Sequence, residues 1–377
     1  MASSVETAAM RRALALAAAA AGSTSPNPPV GAVVLDAAGA VVGEGAHVGG
    51  PGHPHAEVVA LAAAGDRAAG GTVVVTLEPC DHTGRTGPCT QALLAAGVAR
   101  VVHALADPSE PAAGGGRALA AAGLDVEGGV LADEAAAVVE PWLHGLRTHR
   151  PFVTWKVAAT LDGRCQAADG TSRWISSEAS RSDAHALRAR CDAIAVGVGT
   201  VLGDDPLLTV RGPDGTAAKR QPLRVVLDTA GRTPATARVL GPGCLVVTGA
   251  AVPVPAGAQA LPVGAGGDGR VDLAAALRAL HERGVRHLLL EGGPRLAGGF
   301  VAAGLVDEVV AYLAPSLLGA GAAAIEGAGV ATVGLAHRLR FTDVHLVGPD
   351  LRIVARPLAA PVAGARPATD RVAVEVG

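Results

Sequence analysis

His55-Ala56-Glu57, then a run of strand character at Thr72–Leu77, then Glu78-Pro79-Cys80-Asp81-His82-Thr83-Gly84-Arg85-Thr86-Gly87-Pro88-Cys89: this stretch decides how the chain reads. His55, Cys80 and Cys89 offer one imidazole and two thiols, three good zinc ligands with a fourth tetrahedral position left open. Structural zinc sites usually close with four protein ligands, whereas catalytic sites keep a place for water. Glu57 lies two residues from His55 and is not needed for coordination, which makes it the candidate proton carrier.

A His-x-Glu followed by Pro-Cys and a later Cys is the pattern of hydrolytic zinc deaminases, which attack an amidine-like ring carbon with metal-activated water. The elements around it suit such a site. The pattern predicts a helix over 5–21, stopped by Gly22 and the Ser23–Pro29 loop, then a hairpin of 30–36 and 41–44. His55 opens a helix running to about Ala64, and Cys89 opens another ending near Gly97. Ligands at helix starts are sensible, because the free N–H groups and the helix dipole there favour thiolate over thiol. A strand at 100–105, a short helix at 116–122 and a helix at 133–147 complete a first α/β unit with helices on both faces of its sheet.

The pattern restarts around His149-Arg150-Pro151. We therefore expect domains over 1–148 and 149–358, and an Ala/Pro-rich tail over 359–377 in which Val372–Val376 is a candidate edge strand. The second domain should hold strands near 152–158, 192–197, 223–228, 244–248, 286–291, 307–314, 341–347 and 350–355, with helices near 177–190, 272–283 and 294–304. Its polar and Gly-rich clusters fall at strand ends, where α/β sheets bind ligands. Glu291-Gly292-Gly293-Pro294 reads as strand, glycine turn and helix start, a seat for a dinucleotide phosphate. The literal G-x-G-x-x-G of Gly264–Gly269 has only Leu261-Pro262-Val263 before it, so it is not expected to bind nucleotide.

Composition narrows the function classes. A chain of 377 residues is long enough for two domains. A formal charge of −3 leaves no basic footprint for a nucleic-acid partner. No span of about 18 strongly apolar residues suggests a membrane helix. Five scattered cysteines suit a reducing, cytoplasmic setting and metal ligation better than a disulfide framework. The 51 glycines and long alanine runs read as compositional drift as much as function. Arg11-Arg12 followed by Ala13–Ala21 imitates a secretory signal, but Glu6 precedes it and candidate site residues start at Asn27, so an Ala-rich helix is expected instead.

Taken together and in this order, the two halves resemble the bifunctional deaminase–reductase family of riboflavin biosynthesis. The resemblance spans about residues 5–356 and rests on Pro26-Asn27-Pro28, Pro54–Val58, Thr76–Cys80, His82, Gly84–Thr86 and Pro88-Cys89. In the second half it rests on Lys156, Leu161–Arg164, Trp174-Ile175, Asp204–Pro206, Glu291–Pro294 and Leu305–Glu308. The discriminating feature is the eight-residue gap between Cys80 and Cys89, since deaminases of tRNA or nucleosides generally carry a tight Cys-x-x-Cys. A base-deaminating enzyme with a C-terminal binding module is the alternative that the long gap and missing basic patch disfavour. A second alternative is that one half has decayed into a structural or regulatory domain.

The resemblance implies a cytidine-deaminase-like three-layer domain followed by a dihydrofolate-reductase-like domain. It implies one zinc on His55, Cys80 and Cys89, proton transfer by Glu57, ring contact by Asn27 and phosphate contact by His82 and Arg85. The substrate would be a 2,5-diaminopyrimidinone ribotide losing ammonia at C2, after which NADPH would reduce the ribosyl to a ribityl chain. It places cofactor contacts at Ala158, Trp174, Thr200, Asp204, Thr229 and the turn Gly293, Pro294, Arg295, Leu296, Ala297, Gly298, Gly299. It places substrate contacts at Ser172, Arg188, Leu208, Arg211 and Glu291, with Lys156 as a charge beside the reacting carbon. Such enzymes often assemble through the reductase half, which implies a homo-oligomer. Two departures stand out: Ser25 where many members have His, and Gly87 where Pro is usual.

Overall fold

The computed structural model describes residues 1–109, 112–212 and 214–358; the tail and its candidate edge strand lie outside the described residues. The first sheet has the order β2-β1-β3-β4-β5. Its strands are β1 (Gly31–Leu35), β2 (Val41–Ala46), β3 (Thr72–Leu77), β4 (Arg100–Leu105) and β5 (Asp125–Gly128). β1 pairs antiparallel with β2 and β3, while β3, β4 and β5 run parallel. The strand residues alternate between two cores. Ala32, Val34, Val73, Val75 and Val101 face α2 (Ala56–Ala64), α3 (Cys89–Ala95) and α4 (Gly115–Ala121). Val33, Leu35, Val74 and Val102 face α1 (Ser4–Ala20) and α5 (Ala132–Thr148). That alternation is the strand period of two read out as a three-layer sandwich.

The alanine and glycine richness has a packing role here. A methyl group on Gly31 would run into the carbonyl of Ala13, one on Gly43 into that of Ala60, and one on Gly45 into that of Ala56. The alanine faces of α1 and α2 therefore lie directly on bare strand backbone, and the expectation of drift is corrected for this half. The segment that imitates a leader lies in α1, where Ala13, Leu14, Ala17 and Ala20 are buried, and the helix is capped by Ser3 and Glu6 in a reciprocal box.

The second sheet has nine strands in the order β10-β9-β8-β7-β11-β6-β12-β14-β13. They are β6 (Phe152–Thr160), β7 (Ala193–Gly197), β8 (Leu223–Leu227), β9 (Cys244–Thr248), β10 (Gln259–Pro262), β11 (His287–Leu290), β12 (Glu308–Ala314), β13 (Leu339–Val347) and β14 (Asp350–Pro357). The first seven in that order are parallel, and β14 and β13 close the far side antiparallel. α6 (Glu178–Ala189) and α7 (Val198–Asp204) pack on one face, α8 (Leu273–Glu282) and α9 (Pro294–Ala302) on the other. β5, β10 and α7 are short and were not expected. β10 corrects the reading of Gly264–Gly269: a strand does precede it. The loop folds back through the Ala265–Val271 bridge before α8, so no helix opens from it. Among the described residues no helix is long and apolar enough to cross a membrane.

Close helix-on-strand packing makes a sharp stability test. Gly45→Ala should destabilise the N-terminal transition by about 1–3 kcal/mol, the range for overpacking a tight core. An unchanged melting profile by calorimetry would show that α2 has room to move.

Candidate active sites

The first cluster assembles at the C-terminal end of β3. Pro79-Cys80 follows the strand, His55 is the N-cap of α2, and Cys89 is the first residue of α3. The approach is held from behind. Glu78 is buried and accepts from Gly116 N at 2.9 Å and Asp107 N at 3.1 Å, tying the strand end to α4. A side chain on Gly115 would strike the carbonyl of Pro79. Glu78 belongs to the Thr76–Cys80 stretch that carries the resemblance, without a role assigned to it, whereas Gly115 carried no signal in the sequence.

His55 Nδ1 lies 3.2 Å from Cys89 Sγ and 3.5 Å from Cys80 Sγ, and the three ligand atoms all fall within 4.8 Å of one another. Tetrahedral zinc with ordinary bond lengths requires N–S separations of about 3.5 Å, so the donor set fits the ion without rearrangement. Among the described residues this metal-capable group has three members, which leaves the fourth position open. The sulfur chemistry agrees. The hydrogen bond from Cys89 draws the Cys80 thiol down to about 4, and Cys89, as the donor, is pushed up. A divalent cation would displace that one shared proton. Thr86 Oγ1 sits 3.5 Å from His55 Nε2, on the far side of the ring. Glu57, in the first turn of α2, is buried, and desolvation raises its carboxyl above the usual range.

His47 joins this site, and the sequence reading missed it. Its Nδ1 is 3.0 Å from the Pro54 carbonyl and its Nε2 is 3.2 Å from Asn27 Nδ2. A carbonyl only accepts, so Nδ1 carries the proton and Nε2 accepts from Asn27. Burial, the main influence, lowers the pKa of His47 and favours this neutral form. The Asn27 amide is thereby fixed with its NH2 toward His47, which frees its oxygen to accept from a ligand. His82 is half-buried with Nδ1 unpartnered, and Arg85 is exposed on the same loop.

The second cluster lies at the C-terminal ends of β6, β7 and β11. Arg188 of α6 makes a bidentate pair with Glu291, at 2.6 and 2.8 Å, and donates to the Thr209 carbonyl at 3.1 Å. That fork brings Glu291 together with the Leu208–Arg211 loop. Burial alone would raise Glu291, but attraction and hydrogen bonding from Arg188 carry it down to about 2. Lys156 stands beside the pair. Burial lowers its pKa, Glu291 opposes that, and its Nζ lies 5.7 Å over the ring of Tyr312. Tyr312 donates to Asp183 at 2.6 Å and is a further residue the sequence reading missed.

Thr200 approaches Gly293 at the start of α9, as a glycine turn facing the first turn of α7 requires. Gly293 is the N-cap and Pro294 the first residue of α9, so its free N–H groups are available to an anion. Deeper in α9, Ala297 belongs to the core, a side chain on Gly298 would strike the Glu326 carbonyl, and exposed Arg295 lies 3.6 Å from Glu326. Trp174 is exposed with Arg181 stacked on it. Ser172 is partly buried and Asp204 exposed at the end of α7. Ala158 packs against Tyr312. The Thr229 hydroxyl accepts from Val271 N at 3.2 Å.

The comparisons with known proteins fall on the same two clusters. Residues 3–105 match the cytidine and deoxycytidylate deaminase zinc-binding region, and residues 151–353 match the RibD C-terminal domain. The riboflavin biosynthesis protein RibD of Mycobacterium tuberculosis is 48% identical over 89% of this chain and 93% of its own length. That of Escherichia coli is 41% identical over 91% and 96%. The structure of RibD from Acinetobacter baumannii superposes with a TM-score of 0.84 at 37% identity, covering 94% of this chain and 99% of the other. A Thermotoga maritima diaminohydroxyphosphoribosylaminopyrimidine deaminase/5-amino-6-(5-phosphoribosylamino)uracil reductase gives 0.85 at 32% identity with the same coverage. The N-terminal sandwich is thus the cytidine-deaminase-like fold and the nine-stranded half the dihydrofolate-reductase-like fold. With a zinc-fitting cluster in one and a reductase cluster in the other, the chain belongs to the RibD family of bifunctional riboflavin biosynthesis enzymes, a zinc-dependent deaminase joined to an NADPH-dependent reductase.

Proposed function

We propose a division of labour in which residues 1–148 deaminate the 2,5-diaminopyrimidinone ribotide, residues 149–358 reduce its ribosyl to a ribityl chain, and 359–377 are a tail outside both. The observation that carries the first half is the meeting of His55, Cys80 and Cys89, with Glu57 the second residue of the helix that His55 caps. Those three would hold zinc, which when bound lowers the pKa of a coordinated water so that a nucleophile exists at neutral pH. Glu57 would take a proton from the attacking water and deliver it to the amino group leaving C2 as ammonia. Asn27, its oxygen freed by His47, accepts from a ring N–H, and His82 with Arg85 holds the phosphate. A guanidinium suits that task because its planar fork donates two hydrogen bonds at once.

In the second half NADPH supplies the hydride. The chain orients it through Ala158, Trp174, Thr200, Asp204, Thr229 and the Gly293–Leu296 start of α9, whose N-terminus faces its phosphates, while Ala297 and Gly298 are taken up by packing. Ser172, Leu208, Arg211 and the Arg188–Glu291 pair shape the substrate side. Lys156 presents its charge beside the carbon being reduced. We place the enzyme in the cytoplasm, in keeping with five free cysteines. We also propose a homo-oligomer through the reductase half. β13 ends the sheet, and its Phe341 (66% exposed) and Leu346 (70% exposed) leave an unpaired apolar edge that a second copy could continue about a two-fold axis.

Three outcomes test these roles. Glu57→Gln should keep one zinc per chain by elemental analysis and lose deamination by at least about 100-fold, with NADPH-dependent reduction of the deaminated ribotide unchanged; wild-type deamination would remove Glu57 from the mechanism. Glu291 pairs with its folded pKa near 2 against an ordinary 4.5, so its stabilisation is present above 4.5 and lost as the pH falls toward 2. The stability gap between wild type and Glu291→Gln should accordingly close over that window in denaturant titrations, and a gap independent of pH would mean the pair is not ionic. Leu346→Asp should shift the mass seen by light scattering to that of one chain; an unchanged assembly would move the interface elsewhere.

A further inference from the structure

The deaminase loop that carries Asn27 is anchored on the reductase domain. Ser25 Oγ donates to Asp192 Oδ2 at 2.8 Å, and Asp192 sits just before β7, in the other half of the chain. The same carboxylate oxygen accepts from Arg286 N at 2.8 Å and His287 N at 2.9 Å, with Arg220 at 3.6 Å from its other oxygen. Its side chain is only 9% exposed, so it is a rigid acceptor held by two backbone amides rather than a loose surface group. Contact continues on either side. A side chain on Gly22 would meet the Ala189 and Arg190 backbone at 2.8 Å, and Pro26 lies against Gly284. Ser25 and Asn27 both line a cavity of about 110 Å³ at this seam, together with Trp142, Asp192 and Arg286.

The loop itself is short and internally braced. Asn27 N donates to the Thr24 carbonyl at 3.0 Å, Thr24 Oγ1 to the Asn27 carbonyl at 3.0 Å, and Gly49 N to the Ser23 carbonyl at 3.0 Å. A displacement at Ser25 therefore reaches Asn27 with little slack, and through the Asn27–His47 bond it reaches the loop before His55. We propose that Ser25 and Asp192 are positioning residues for deamination: the reductase domain sets the aim of the Asn27 amide in the other active site. The proposal rests on the reading that Asn27 contacts the pyrimidine ring. It also gives a role to Ser25, one of the departures from the family's usual sequence.

The test uses the full-length enzyme and the diaminopyrimidinone ribotide. Ser25→Ala should raise the deamination KM about 5- to 10-fold, the scale of one lost intramolecular hydrogen bond. Zinc content and reductase constants should stay as in wild type, because Asp192 keeps both backbone amides. Ser25→Thr, which retains the hydroxyl, should restore the KM. Asn27→Ala should lose more, and adding Ser25→Ala to it should cost nothing further, as expected when two residues act through one contact. Wild-type deamination by Ser25→Ala alongside an impaired Asn27→Ala would overturn the proposal and leave the reading of Asn27 intact. Wild-type deamination by Asn27→Ala would overturn both. Equal losses in deamination and reduction by Ser25→Ala would mark a general structural role and likewise overturn the proposal.

Discussion

The imidazole and two thiols of this chain meet because two helices begin near the end of the same strand. β3 delivers Cys80, α2 delivers His55 and α3 delivers Cys89, so the whole N-terminal sandwich is organised by that convergence. The close seating of α2 follows from it, because Gly43 and Gly45 bring the helix onto β2 at backbone distance. So does the burial of Glu78, whose carboxylate spends both oxygens on backbone amides that fix where the strand ends. The helix starts place His55 and Cys89 beside Cys80, and the hydrogen bond from Cys89 holds Cys80 toward its thiolate.

The reductase half answers a different constraint, that of holding like charges together in a partly dry cleft. Arg188 and Lys156 both face Glu291, and burial lowers the pKa of Lys156 while Glu291 opposes that. Removing either partner of the Arg188–Glu291 pair strands a buried charge. The fork of Arg188 takes the carboxylate in bidentate form, which leaves Lys156 free of a direct partner and turned over the face of Tyr312. Tyr312 is fully buried and fastened by Asp183, which also receives Arg352 at 2.9 Å. Lys156 is thus placed by a chain of contacts running through three strands and a helix.

Much of the chemistry was legible in the sequence because it is written at fixed spacings: His-x-Glu, Pro-Cys and the gap to Cys89 name a donor set whatever the backbone does. Long strands with continuous Val runs, such as β3 and β4, were legible for the same reason, a pattern repeated over enough residues. Four-residue strands such as β5 and β10 show no such repeat, and sheet neighbours supply the hydrogen bonds that make them strands. His47 and Tyr312 matter through partners far away in sequence, Asn27 and Lys156, which no local pattern records. The glycines of the first sheet looked like drift because their purpose lies in helix faces that pack against them.

The two halves are more than neighbours on one chain. Asp192 follows α6 by three residues, and Arg188 lies in the last turn of that same helix. One short stretch, Arg188–Asp192, therefore reaches in two directions: Arg188 to Glu291 in the reductase cleft, Asp192 to Ser25 under the deaminase loop. Cys191, between them, is fully buried, its thiol donating to the Leu187 carbonyl and lying 3.6 Å from His287 Nδ1. β11 binds the stretch from the other side, offering His287 N to Asp192 and ending at Glu291. With both ends of that stretch pinned by charge and Cys191 buried between them, it ties the two halves of the chain together. Covalent fusion of the two activities is thereby backed by a mechanical one.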